Sequence, residues 1–132
     1  MLGNLLSEIS GKRTGRRVVS TEPVKVEVTF EGNGKAVGVE VHEIGTYWSE
    51  IRCDGTLYGE GGGVLMGGGG ESAIWKGAGI GKFGEGGAVS YRGAIYFSAS
   101  SPKLARLNSV VGVFEYNVDA GGNTNSKIWE WK

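Results

Sequence analysis

The 132-residue chain reads as all-β, with about eight antiparallel strands closed into an up-and-down β-barrel. Three observations predict this. Apolar residues alternate with polar ones in several segments, the period of a strand with one buried face. Turn signals, mostly glycine pairs and runs, recur between those segments. Glycines also alternate inside segments, at Gly59, Gly61 and Gly63 and at Gly77, Gly79 and Gly81. A strand face without side chains lets a sheet coil sharply, or lets an aromatic from a neighbouring strand lie across it. Closing the sheet removes the exposed edges of its long apolar strands.

The elements follow in order. Leu5 to Ile9 fits a short helix or a first strand, and alternation does not place residues 1–22 further. Val24, Val26, Val28 and Phe30 alternate with Lys25, Glu27, Thr29 and Glu31, which makes a strand. Glu31 to Lys35 reads as a turn, because Asn33-Gly34 tolerates the positive φ of a tight hairpin. Val37, Val39 and Val41 resume the alternation with Glu40 and His42 opposite. Ile44 falls out of phase beside Gly45, which suggests a bulge or a turn. Tyr47 to Arg52 is a further strand, closed by Asp54-Gly55. Strands follow at Leu57–Met66, Ala73–Phe83, Ala88–Ser98, Val110–Val118 and Lys127–Trp131. One helical turn is expected near 101–107, with Ser101 as cap and Pro102 at the first helical position. Tyr58, Trp75 and Tyr91 each precede a glycine at the pitch of a meander. Residues 1–132 thus form a single barrel domain.

Composition excludes several classes. The 26 glycines lack a three-residue period and come with only two prolines, so the chain is not collagenous. Its 39 % hydrophobic content is too high for a disordered linker. One cysteine, Cys53, excludes an intrachain disulfide or a Cys-based zinc cluster. One histidine excludes a multi-histidine metal site, and no cofactor is expected. Fourteen basic and fourteen acidic residues leave no overall footprint for nucleic acid. No apolar run is long enough for a membrane helix. Met1 to Leu6 does not read as a secretory signal, and a cytoplasmic protein is the expectation.

Few motifs carry chemistry. Gly79 to Gly84 matches G-x-G-x-x-G, but a dinucleotide site needs a helix directly after it, and a turn and a strand follow. Lys12 to Arg17 holds four positive charges, which suits either a solvated segment or contact with an anionic partner. Glu40 and His42 share a strand face, where the carboxylate would orient the imidazole for general base work. Tyr58, Glu60, Tyr91, Arg92 and Tyr96 form a second set able to bind a ligand hydroxyl or carboxylate, with Arg92 as a bidentate partner. Trp129 and Trp131 share one face of the last strand, where they would seal a seam or an oligomer interface.

Three segments carry a resemblance: Asp54 to Gly61, Ala88 to Ala94, and Leu104 to Phe114. On them the chain resembles the allene-oxide-cyclase-type barrels, a group that includes dirigent proteins and small uncharacterised prokaryotic proteins. The resemblance implies an eight-stranded antiparallel barrel, often with an apolar cavity and often homo-oligomeric. No catalytic residue of that group maps onto this chain by motif. The function expected is a barrel that binds a small apolar molecule. The alternatives are a cyclase or isomerase using the same pocket, and a filled structural barrel assembled as a homo-oligomer. Interior residue size separates them.

Overall fold

The structure, a computed structural model, describes residues 2–132. Eight strands run in chain order: β1 (Leu2–Thr21), β2 (Val24–Ala36), β3 (Val39–Ile51), β4 (Leu57–Gly67), β5 (Ser72–Phe83), β6 (Val89–Ala99), β7 (Gly112–Val118) and β8 (Asn123–Trp131). Each pairs antiparallel with the next, and β8 pairs with β1, so the sheet closes in up-and-down order. The N-terminal segment is therefore strand. The expected helical turn forms as a 3₁₀ helix over Pro102–Ser109, with Pro102 in its first turn. Ser101 does not cap it through its side chain, because its Oγ accepts the Ser72 backbone N–H at 2.8 Å instead.

Two local expectations are corrected. No turn forms at Glu31–Lys35. Asn33 and Gly34 are mid-strand residues of β2, paired with Ser10 and Ile9 on β1 and with His42 and Val41 on β3. Gly32 and Gly34 are needed there because β1 runs too close for a side chain. A Cβ at Gly32 would lie 2.7 Å from the Ser10 carbonyl oxygen. The hairpin turns four residues later, at Val37 (φ 43) and Gly38 (φ 83), between the paired Ala36 and Val39. Positive φ at both central residues is the geometry of a tight primed turn. The β-branched Val37 is held in it by its N–H, which donates to Leu6 O at 2.7 Å.

Nor does β3 bulge at Ile44. Its ladder with β2 runs unbroken, so Val41, Glu43, Gly45, Tyr47 and Ser49 all face inward and Ile44 faces out. The register shifts lie in β1 instead, between Arg13 and Gly15 and between Val18 and Ser20 on its β2 side.

The interior divides into two clusters. Beneath the 3₁₀ helix, Leu104 and Leu107 plug one end against Leu6, Ile9, Ala36, Val41, Leu65, Ala73, Ile95 and Ile128. Towards the opposite end stand Phe30, Leu57, Tyr91, Tyr116 and Val118, with Tyr47 and Trp75 packed against them. The strand glycines make room for these rings. A Cβ at Gly81 would meet the Tyr91 ring at 2.6 Å, and one at Gly63 would meet the Trp75 indole at 2.5 Å. Bare backbone on β4 and β5 is thus what admits aromatic side chains from β5 and β6 into a narrow barrel.

Candidate functional site in the barrel interior

Between the two clusters lies a cavity of about 70 Å³, bounded by Phe30, Glu43, Tyr47, Trp75, Tyr91 and Tyr116, with a floor of Gly59, Gly61, Gly77 and Gly79. That is space for a few waters or part of a small ring. The lining is overwhelmingly apolar, as small-molecule sites usually are, with a few polar atoms converging on it.

Glu43 is the most consequential of these. It projects from β3 between Val41 and Gly45 and is only 5 % exposed. Burial pushes its carboxyl up to about 7, because the charged form loses its hydration. The nearby Trp75 indole offsets a part of that shift. Even so, Trp75 Nε1 has no hydrogen-bond partner among the described residues. Tyr116 Oη is also buried with no partner at hydrogen-bond geometry, although it lies near enough to the Tyr47 hydroxyl to influence it. Buried donors without partners are rare in folded proteins and costly. Here two of them border the same cavity as a carboxyl that is half protonated near neutral pH.

The phenols form the other wall. Tyr47 and Tyr116 pack edge to face, with ring centroids 5.6 Å apart, and Tyr47 meets Tyr91 the same way at 5.8 Å. Burial raises Tyr47 to about 12, against a lowering by the Tyr116 hydroxyl. Tyr116 is raised further, by burial first and then by the charges of Tyr47 and Glu43. Tyr91 shares a hydrogen bond with Ser49 Oγ, and burial raises it as well. All three phenols stay protonated at physiological pH and can donate. The arrangement offers a ligand an apolar slot, hydroxyl donors along one side and a titratable carboxyl.

Of the residues expected from sequence to bind a ligand, only Tyr91 turns fully inward. Glu40 is exposed. His42 lies on the outer wall, where Nδ1 meets Asn33 Oδ1 at 2.9 Å and Nε2 meets Glu31 Oε1 at 3.0 Å. The Tyr58 hydroxyl donates to Glu60 Oε2 at 2.9 Å, also outside, although Glu60 borders the cavity at the thin glycine wall. Arg92 lies outside, 3.8 Å from Glu115, and Tyr96 is 57 % exposed. Trp129 stands on the outer wall between Leu5 and Val113, and Trp131 is exposed. Gly79 to Gly84 runs along β5 into a turn, with no α-helix after it. Among the described residues no acid, cysteine and histidine cluster could hold a metal, and no helix is long and apolar enough to cross a membrane.

Sequence reasoning missed Glu43, Tyr47 and Tyr116. A signal for the first two was present. Continuing the alternation of Val39 and Val41 without a break puts Glu43, Gly45, Tyr47 and Ser49 on the core face. A charged residue at a core position of a strand is the informative exception.

No protein-family model matches the chain. No curated protein sequence is similar enough to count as a relative. Solved structures do share the architecture. A protein of unknown function from Clostridium acetobutylicum superposes with a TM-score of 0.83 at 11 % identity, covering 98 % of this chain and 97 % of that one. A β-barrel-like protein from Acinetobacter baumannii gives 0.81 at 15 % identity, covering 100 % and 96 %. An enzyme from Penicillium herquei gives 0.68 at 18 % identity, covering 98 % and 96 %. At such identities the likeness is one of fold. This chain has the architecture of a group of small closed β-barrels.

Proposed function

We propose that the protein binds a small, mostly apolar molecule inside the barrel, between the aromatic cluster and Glu43. The observation that carries this reading is the cavity, where an apolar slot adjoins two buried donors without partners and one buried carboxyl. A filled structural barrel would have no use for those polar atoms, and an aliphatic residue at position 43 would avoid the cost of burying a carboxyl. The resemblance to allene-oxide-cyclase-type barrels, where an apolar cavity is common, supports the same reading.

The test is titration with benzyl alcohol, followed by amide and indole NMR shifts. Binding inside the barrel should move the Trp75 indole N–H and the amides of Gly77 and Gly79. Gly77→Val should remove the Trp75 and Gly79 shifts by filling the slot, with the Ala94 carbonyl oxygen, 3.1 Å from a Cβ there, giving way by a few tenths of an ångström. Shifts confined to the outer wall around Trp48 and Tyr58 would overturn the proposal.

A second reading, an enzyme of the cyclase or isomerase kind, is favoured by Glu43 alone. A carboxyl with a pKa of about 7 can both donate and accept a proton near neutral pH. One structural neighbour is described as an enzyme. In this reading Glu43→Gln abolishes turnover while benzyl alcohol binding persists. A Gln variant that turns over as fast as the parent chain would exclude it.

A further inference from the structure

The polar end of the ligand can be assigned as well. We propose that Arg13, at the open mouth of the barrel, recognises an anionic group, so that the molecule held inside is a small apolar acid with its carboxylate at the mouth. This rests on the interior-site reading above and adds the charge of the ligand to it.

Arg13 belongs to the basic segment Lys12–Arg17, and the structure separates it from the rest. It pairs with Phe30 in the β1–β2 ladder, and directly paired residues share a face of the sheet. Phe30 borders the cavity, so Arg13 lies on the inner face. Pairing of β1 with β8 ends at Lys12, and the β1 register shifts just after Arg13. Irregularities of this kind re-aim a side chain and terminate pairing. Arg13 is therefore the inward residue at the place where the wall between β1 and β8 opens.

The side chain is positioned. The Arg13 backbone N–H donates to Gly122 O at 2.8 Å. The guanidinium lies along the Gly122 backbone, where a Cβ would be 3.4 Å from Nη2. Gly122 holds φ at +85, so a side chain there would be strained. The guanidinium is also near enough to Tyr47 to lower the pKa of its phenol slightly.

Among the described residues no carboxylate lies within ion-pair distance of it. Among the described residues the ion pairs join Arg17 to Glu27, Lys25 to Glu50, His42 to Glu31, Arg92 to Glu115, Arg106 to Glu130 and Lys127 to Glu8. The acid of the adjacent loop, Asp119, is occupied within that loop. Its Oδ1 accepts the backbone N–H groups of Gly121 and Asn123, and its Oδ2 accepts the Asn123 side-chain amide. A half-buried arginine on the inner face at the rim, its guanidinium lying along Gly122 with no counter-ion, fits a carboxylate by two parallel hydrogen bonds.

The experiment titrates benzoate, benzyl alcohol and benzylamine into the parent chain, R13Q and R13K, reading the Trp75 indole N–H. The parent chain should bind benzoate about tenfold or more tighter than benzyl alcohol, the scale of one charge-assisted hydrogen bond. R13Q should lose that preference and keep its affinity for benzyl alcohol. R13K should fall between, because an ammonium keeps the charge without the fork, and it carries the test should R13Q fail to fold. Equal affinity for benzoate and benzyl alcohol in the parent chain overturns the assignment to Arg13 and leaves the interior site standing. An unchanged benzoate affinity in R13Q does the same. Failure of all three compounds to reach Trp75 overturns both.

Discussion

The two ends of the barrel are built from different chemistry. The end under the 3₁₀ helix is aliphatic: Leu65, Leu104 and Leu107 are almost wholly buried, and Leu6 and Val41 close around them. The opposite end is aromatic and hydroxylated, with Tyr47, Tyr91, Tyr116 and Ser49, and it carries Arg13 at its rim. Aliphatic side chains have no polar atoms to satisfy, so they can be sealed completely and return the full free energy of burial. Phenols need partners for their hydroxyls, so a cluster of them keeps unmet hydrogen-bonding capacity. One end is sealed by aliphatic packing, the other holds the groups of the proposed binding site, and Glu43 stands between them.

The comparison can be broken most severely at the aliphatic end. Leu104→Ala should cost about 3–4 kcal/mol, since it empties a fully buried site beneath a short helix. Urea unfolding measures this, and a loss below about 1 kcal/mol would mean that the helix is not a structural plug.

Glu43 gives the next effect, and its sign is definite. Its folded pKa of about 7 lies above its ordinary value of 4.5. Between those values the folded chain keeps a proton that the unfolded chain releases. Stability from this group is therefore fully present below about pH 4.5, falls as pH rises to about 7 and is then flat. The span is about 3 kcal/mol. Glu43→Gln should remove that slope, and chemical denaturation across this pH range for both proteins checks it. Parallel curves would place the carboxyl in water.

Gly93→Ala should cost about 2 kcal/mol, because a Cβ there would overlap the Ala78 carbonyl of the neighbouring strand. Gly15→Ala, where nothing lies within 4 Å, is its control and should leave the melting temperature unchanged. The smallest effect belongs to the outer wall. Glu60→Ala removes one exposed hydrogen bond to Tyr58 and should change stability by less than about 0.5 kcal/mol. A larger loss would show that the thin glycine wall depends on that pair.

Most of the strands were legible because each has one wet face and one dry face. The alternation of Val24 to Phe30 on β2 follows directly from that. So does the division of β6 into Tyr91, Ile95 and Phe97 on one face and Arg92 and Tyr96 on the other. The turns at Gly55, Gly70 and Gly122 were legible for a separate reason, since each holds a positive φ that glycine adopts without strain. Asn33-Gly34 misled because glycine serves two purposes. It permits a turn, and it also permits a neighbouring backbone to approach, which is its use in β2. The candidate site was mostly hidden. Glu40 and His42 sit one residue out of phase with Glu43, and only the unbroken β3 ladder shows which set turns inward.

Local patterning was thus enough for strand number, antiparallel order and a curved sheet. The glycine excess drew attention to β4 and β5, where aromatic rings do lie over bare backbone. Patterning could not decide what the barrel encloses. That depends on which residues from β1, β3, β5, β6 and β7 arrive at one depth after closure. Arg13 and Tyr47, or Glu43 and Trp75, lie more than thirty residues apart in the chain. They meet only because the hydrogen-bonded register carries each strand round the cylinder to a common level.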